Sequence, residues 1–198
     1  SITRNTAFIS WGGAFATCAF DGEFVWITPF AVGAAVVGVN VNNYSMKTFA
    51  VFPVGYDRGM VPVEGTVLAG DHLWLIPRDG NGVVRVHLRT GVAMAFSSWP
   101  SQQGFVKNRN AFIGAAYDGR FIYMPPYDAS AVVRVDTTDG SMIALSNWPP
   151  GFTKQLRAFA RGVFDGKAFV WMVPAGASCA VRINVTEGNH TMTCFAKW

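Results

Sequence analysis

Three arginines recur at one place in a repeated pattern: Arg85 in VVRVH, Arg134 in VVRVD and Arg182 in AVRIN. They are 49 and 48 residues apart. A guanidinium holds its N–H donors in a rigid fork that suits carboxylate and other oxygen acceptors. One such group per repeat could form a ring of donors for an acidic or sugar ligand. The same group could instead serve the fold. Its partners would then be Asp21, Asp118 and Asp165 of recurring Asp-Gly turns, or backbone carbonyls at strand ends. The structural use is preferred, because a residue repeated at one position of each unit usually serves the unit. Gly38 takes the fourth equivalent position and breaks the set.

Other basic residues cluster by loop. Lys107 and Arg109 precede the third repeat, Lys154 and Arg157 the fourth, and Arg58 the second. A shared rim of such charges would attract anionic partners over roughly a Debye length. Solvated loop charge is the plainer reading. Trp99, Trp148 and Trp198 close successive repeats beside loops. There an indole could be a stacking platform for sugars or an anchor for a protein partner. A hydrophobic clamp is the plainer alternative. Trp26, Trp74, Tyr123 and Trp171 share one position in the second strand and are expected in the core.

Catalytic patterns are poor. The chain has no Gly-x-Ser-x-Gly, no His-Glu-x-x-His and no phosphate loop. Its few acidic residues sit mostly in turns, with no spacing that suggests the facing carboxylates of a glycosidase. No enzyme activity and no cofactor are expected. Cys18, Cys179 and Cys194 lack metal-type spacing, and His72, His87 and His190 do not cluster with them in sequence, so no metal is expected. Cys18 in the first strand of the first repeat and Cys194 in the last strand of the fourth are candidates for a ring-closing disulfide; three buried thiols are the alternative. Sequons stand at Asn43, Asn184 and Asn189, which favours a secreted or extracellular chain slightly. Asn184 lies at a strand end, where access for a glycan is doubtful.

Composition narrows the class. Hydrophobic residues make up 51% of 198 residues and charged residues 14%, against roughly 25% charge in an average soluble domain. Either an unusual share of the chain is buried on itself, or partners cover part of its surface. The most apolar stretch, Phe24–Val41, is interrupted by Thr28, Pro29, Gly33, Gly38 and Asn40, so a membrane-spanning helix is not expected. The net charge of +4 is scattered, without the basic patch that nucleic-acid binding needs. No leader peptide is evident at Ser1, and the absent initiator Met suggests a processed or trimmed start.

These residues must be held by a repeat. The turn glycines Gly22, Gly70, Gly119 and Gly166 are separated by 48, 49 and 47 residues. Pro29, Pro77, Pro126 and Pro174 follow at 48, 49 and 48. Each unit reads as four short strands rich in β-branched and aromatic residues. In the third unit these are expected at 112–117, 120–124, 131–136 and 142–147. Asp-Gly at 118–119 and 139–140, and Glu-Gly at 187–188, mark hairpin turns. Four strands per unit of about 48 residues describe a β-propeller blade. The expected fold is all-β: one four-bladed β-propeller domain over 1–198, with blades at about 12–53, 58–100, 107–149 and 154–198. Thr6–Trp11 within segment 1–11 is expected to add a closing strand or to be the tail of an earlier blade.

The repeated pattern DG-R-F-I-Y…P…VVRVD…W-P resembles the propeller-repeat superfamily. Kelch-like repeats share the length and the aromatic strand, without a Gly-Gly pair here; hemopexin-like domains share four blades and a Trp-Pro ending. No functional residue is carried over from either. The function expected is a non-catalytic interaction or scaffold propeller, a subunit of a larger assembly or a homo-oligomer. The alternative is a secreted carbohydrate-binding lectin with repeated sites, and the third reading is an enzyme with its site at the central channel.

Overall fold

The computed structural model describes residues 15–30, 35–101 and 104–196. Four four-stranded antiparallel sheets are present, each running in chain order. The first holds β1 (Phe15–Phe20), β2 (Phe24–Pro29), β3 (Val36–Asn40) and β4 (Met46–Phe49). The second holds β5 (Val63–Ala69), β6 (His72–Pro77), β7 (Val83–His87) and β8 (Ala93–Phe96). The third holds β9 (Ala116–Tyr117), β10 (Phe121–Met124), β11 (Val132–Asp136) and β12 (Met142–Leu145). The fourth holds β13 (Phe159–Phe164), β14 (Phe169–Pro174), β15 (Ala180–Asn184) and β16 (Met192–Phe195). The fold is all-β and its four sheets are the blades of a β-propeller. Thr6–Trp11 and Trp198 lie outside the described residues.

The Asp-Gly turns behave as their chemistry predicts. Asp118 Oδ1 accepts the backbone N–H of Arg120 at 2.9 Å and of Phe121 at 2.7 Å, and Gly119 takes φ +107°. A carboxylate capping its own turn in this way offers the backbone a ready partner. Asp21 and Asp165 repeat the arrangement in their own blades. The first strand of the third blade is shorter than its sequence suggests. Only Ala116–Tyr117 pair with β10, because Gly114 turns to φ +70° and Phe112 is reduced to a single bridge with Pro126.

The chain divides into two compact units, Ser1–Ala95 and Phe96–Trp198. In the first unit Phe24, Trp26 and Val36 form one cluster with Val63, Leu73, Leu75, Val84 and Val86. The hydroxyls of Thr17, Thr28 and Thr66 tie β1, β2 and β5 together at 2.6–2.9 Å. In the second unit Tyr123, Val132, Phe159, Val170, Met172, Val181 and Ile183 share a core. Buried strands are apolar along both faces: in β6 only His72 is not fully buried. Among the fourth strands, β4 is largely exposed, whereas β12 is largely buried.

Candidate functional site

The hairpin register places the recurring arginines first. Trp74 lies directly opposite Arg85, Tyr123 opposite Arg134, and Trp171 opposite Arg182. Arg85 sits over the Trp74 ring at 5.5 Å, and Arg134 over Phe121 at 4.1 Å. Arg182 lies between Phe169, Trp171 and Phe195, at 4.2, 5.6 and 5.1 Å. A guanidinium is held over an aromatic face by the ring quadrupole. No ion pair joins Arg134 or Arg182 to an Asp-Gly carboxylate among the described residues; Asp118 and Asp165 each turn Oδ1 onto the N–H groups of their own turn. Arg134 instead donates to His190 Nε2 at 2.9 Å. A guanidinium has no acceptor, so His190 carries its proton on Nδ1, which faces the Gly188 carbonyl at 3.2 Å.

The terminal aromatics stack on their own loops. Trp99 lies against Phe105 and Phe112, with ring centroids 6.0 and 5.9 Å apart. Trp148 lies against Phe152 at 4.6 Å and Phe159 at 6.0 Å. Both are half-buried members of a clamp. Lys107 Nζ stands 5.7 Å from the Trp99 ring, and Arg58 4.9 Å from Phe52. Lys154 is half-buried; burial lowers its pKa, against the pull of Asp128. Arg109 and Arg157 are exposed, and the Arg157 N–H is held by Asp128 at 2.8 Å. Asn43 and Asn189 are exposed, whereas Asn184 is half-buried and accepts from the N–H and hydroxyl of Thr186.

The candidate Cys18–Cys194 bond is not formed, and the cysteines are not three buried thiols either. Cys194 pairs with Cys179, with a Cα–Cα distance of 5.8 Å, and Cys18 is free and exposed. The reason is local register: Cys194 on β16 lies opposite Val181, two residues from Cys179. Both cysteines thus belong to one blade.

A cluster that sequence spacing did not reveal lies at one end of the second blade. His72 opens β6 and His87 closes β7, and the register sets them directly opposite each other. Cross-strand partners have Cβ atoms about 5 Å apart, and the two rings meet edge to face with centroids 5.0 Å apart. Asp71, in the preceding turn, places Oδ1 2.8 Å from His72 Nδ1 and Oδ2 3.3 Å from His87 Nε2. Ligand atoms of the three residues all lie within 4.8 Å of one another. Burial, with Arg85 and His87 nearby, lowers the pKa of His72 despite Asp71. His87 Nδ1 accepts the backbone N–H groups of Arg89 and Thr90, each at 3.2 Å. The signal was present in the sequence: once Trp74 is paired with Arg85, stepping two residues outward on each strand pairs His72 with His87.

Beside Asp71 opens a cleft of about 390 Å³, lined also by Glu23, Trp26, Lys47, Leu88 and Arg89. Much of its polar wall is already engaged. Asp21 Oδ2 accepts from the Trp26 indole at 2.7 Å, Glu23 Oε1 accepts from Asn40 at 2.7 Å, and Lys47 Nζ lies 4.1 Å from the Phe24 ring centroid.

The four meandering blades define the class, a β-propeller protein, and solved structures of that class resemble the chain. Virginiamycin B lyase from Staphylococcus aureus matches with a TM-score of 0.63 and 15% identity, over 90% of this chain and 53% of its own. An auxiliary nutrient binding protein from Bacteroides ovatus matches with a TM-score of 0.62 and 10% identity, over 93% of this chain and 41% of its own. Hydrazine synthase from Kuenenia stuttgartiensis matches with a TM-score of 0.59 and 15% identity, over 94% of this chain and 50% of its own. The chain thus spans about half or less of these structures, and likeness at such identity shows the fold alone. No protein-family model and no curated protein matches the sequence.

Proposed function

We propose that this chain is a non-catalytic propeller that docks onto other proteins as a subunit of a larger assembly. The observation that carries this reading is the open face of the fourth blade. Val173 on β14 is 51% exposed, yet Thr28 and Ile76, at the same register position in the first two blades, are 0% exposed. Pro125, the third equivalent, is also buried. Val163 on β13 repeats the contrast at 57%, against 7% for Val67 and 4% for Ala116. Leaving such side chains half in water forgoes about 1 kcal/mol each relative to full burial. A partner face that covers them recovers it, which also accounts for the low charge content. Met46 and Met94 on the fourth strands β4 and β8 add exposed apolar edge. The disulfide supports an oxidising, extracellular setting for the assembly.

Native mass measured in extract from the source tests this reading. The expected result is a defined species well above 21.5 kDa, reduced by a Val163→Asp/Val173→Asp double substitution that leaves the circular-dichroism spectrum unchanged. A wild-type chain running alone near its own mass overturns it. The second reading, a carbohydrate-binding protein, is favoured by the cleft beside Asp71, whose volume lies in the range of small-ligand sites. Saturable glycan binding lost on Arg89→Ala would support it.

A further inference from the structure

We infer that Asp71, His72 and His87 form a binding site for a divalent transition-metal ion, Zn2+ or Cu2+. Two imidazoles and one carboxylate, with ligand atoms within 4.8 Å of one another, match the donor set those ions take. The side chain of Asp71 is 61% exposed, and those of His72 and His87 are 28% and 27% exposed, so water can complete the coordination.

The other blades show which parts of this cluster the fold itself requires. Positions equivalent to His72 and His87 hold Phe24 and Asn40, Phe121 and Asp136, and Phe169 and Asn184. Asn40, Asp136 and Asn184 each accept turn N–H groups through the side chain. His87 Nδ1 does the same, so this half of the residue is structural. Phenylalanine fills the other position in three blades, so the blade does not need a histidine at 72. Asp71 stands where Glu23 and Arg120 stand in the first and third blades, and those side chains pair with Asn40 and Asp136, so its contact to His87 belongs to the repeat. His72 and its contact to Asp71 at 2.8 Å are the departures from the repeat that a ligand explains.

The hydrogen bonds also set the selectivity. A bound ion replaces the two contacts to Asp71 with bonds to His72 Nδ1 and His87 Nε2. The His72 proton then moves to Nε2 and the His87 proton to Nδ1. His87 thereby gives up its 3.2 Å contacts from Arg89 and Thr90. Only an ion with strong imidazole bonds offsets that loss, so Mg2+ and Ca2+, which prefer oxygen ligands, are excluded.

Calorimetric titration of the whole chain, stripped of metal and carrying Cys18→Ser to remove the exposed thiol, tests the site. The expected result is saturable binding of one Zn2+ or Cu2+ ion, none of Mg2+, and a melting temperature that rises with Zn2+. His72→Phe installs the residue of the other blades and should leave the metal-free melting temperature unchanged, while weakening Zn2+ binding roughly tenfold or more. Wild-type affinity in His72→Phe, or no saturable Zn2+ or Cu2+ binding in the parent, overturns the inference. Neither result bears on the fourth-blade face, which the native mass tests separately.

Discussion

The indole of Trp26 fills the space over Gly38: a Cβ on Gly38 would stand 2.5 Å from Cζ3 of the ring. These residues are cross-strand partners. In the other three blades the partner is an arginine. In the first blade the ring takes that space and stacks on Phe49, with centroids 5.7 Å apart. Gly38 breaks the arginine set because its blade solves the same packing problem differently. Gly38→Ala should therefore destabilise the fold by about 1–3 kcal/mol through overpacking. Denaturant melts followed by tryptophan emission would measure it, and an unchanged midpoint would contradict the close packing.

Arg182 acts through its aromatic neighbours. Its guanidinium lies within 6 Å of three ring centroids, Phe169, Trp171 and Phe195. Arg182→Ala removes both the cation and the packed stem, and should cost about 1–2 kcal/mol. Arg182→Met, which keeps much of the stem, should cost less. Equal losses in chemical denaturation would assign the whole effect to the guanidinium and none to packing of the stem.

Cys179 and Cys194 close a loop with a sequence separation of 15 residues. Removing a link of that length should cost about 3 kcal/mol by the chain-entropy model. Cys194→Ser should lower the melting temperature, and reductant should have no further effect on that variant. Cys18→Ser should leave the wild-type melting curve unchanged, because Cys18 is exposed and outside the bond.

His190 makes stability depend on pH in a definite direction. Burial lowers its pKa below the ordinary 6.5, and the Arg134 guanidinium lowers it further, against Gly188 and Asp118. The unfolded chain then takes up a proton at a higher pH than the folded one. Stability should thus hold above pH 6.5 and fall as the pH drops below it, until the folded residue also protonates. His72 contributes in the same direction. His190→Gln should flatten part of that slope, as read from unfolding free energies between pH 8 and pH 5. A slope identical to wild type would remove His190 as its source.

The sequence by itself determined the blades, because a repeat and a strand are local patterns. The turn glycines, the strand prolines and the arginines share one spacing, and residues a few positions apart decide where a hairpin turns. Trp26, Trp74 and Tyr123, buried on the second strands, were legible for the same reason, whereas Trp171, expected with them in the core, is only half-buried. Tertiary structure decided what depends on register and on sheet faces. Cys194 finds Cys179 because β15 and β16 pair in one register, a relation that a cysteine count does not contain. Trp99 and Trp148 are clamps rather than free platforms because their own loops fold back onto them. His72 and His87 are 15 residues apart in the chain yet face each other across a hairpin. Pairing two strands converts sequence distance into contact, and composition and spacing alone record only the distance.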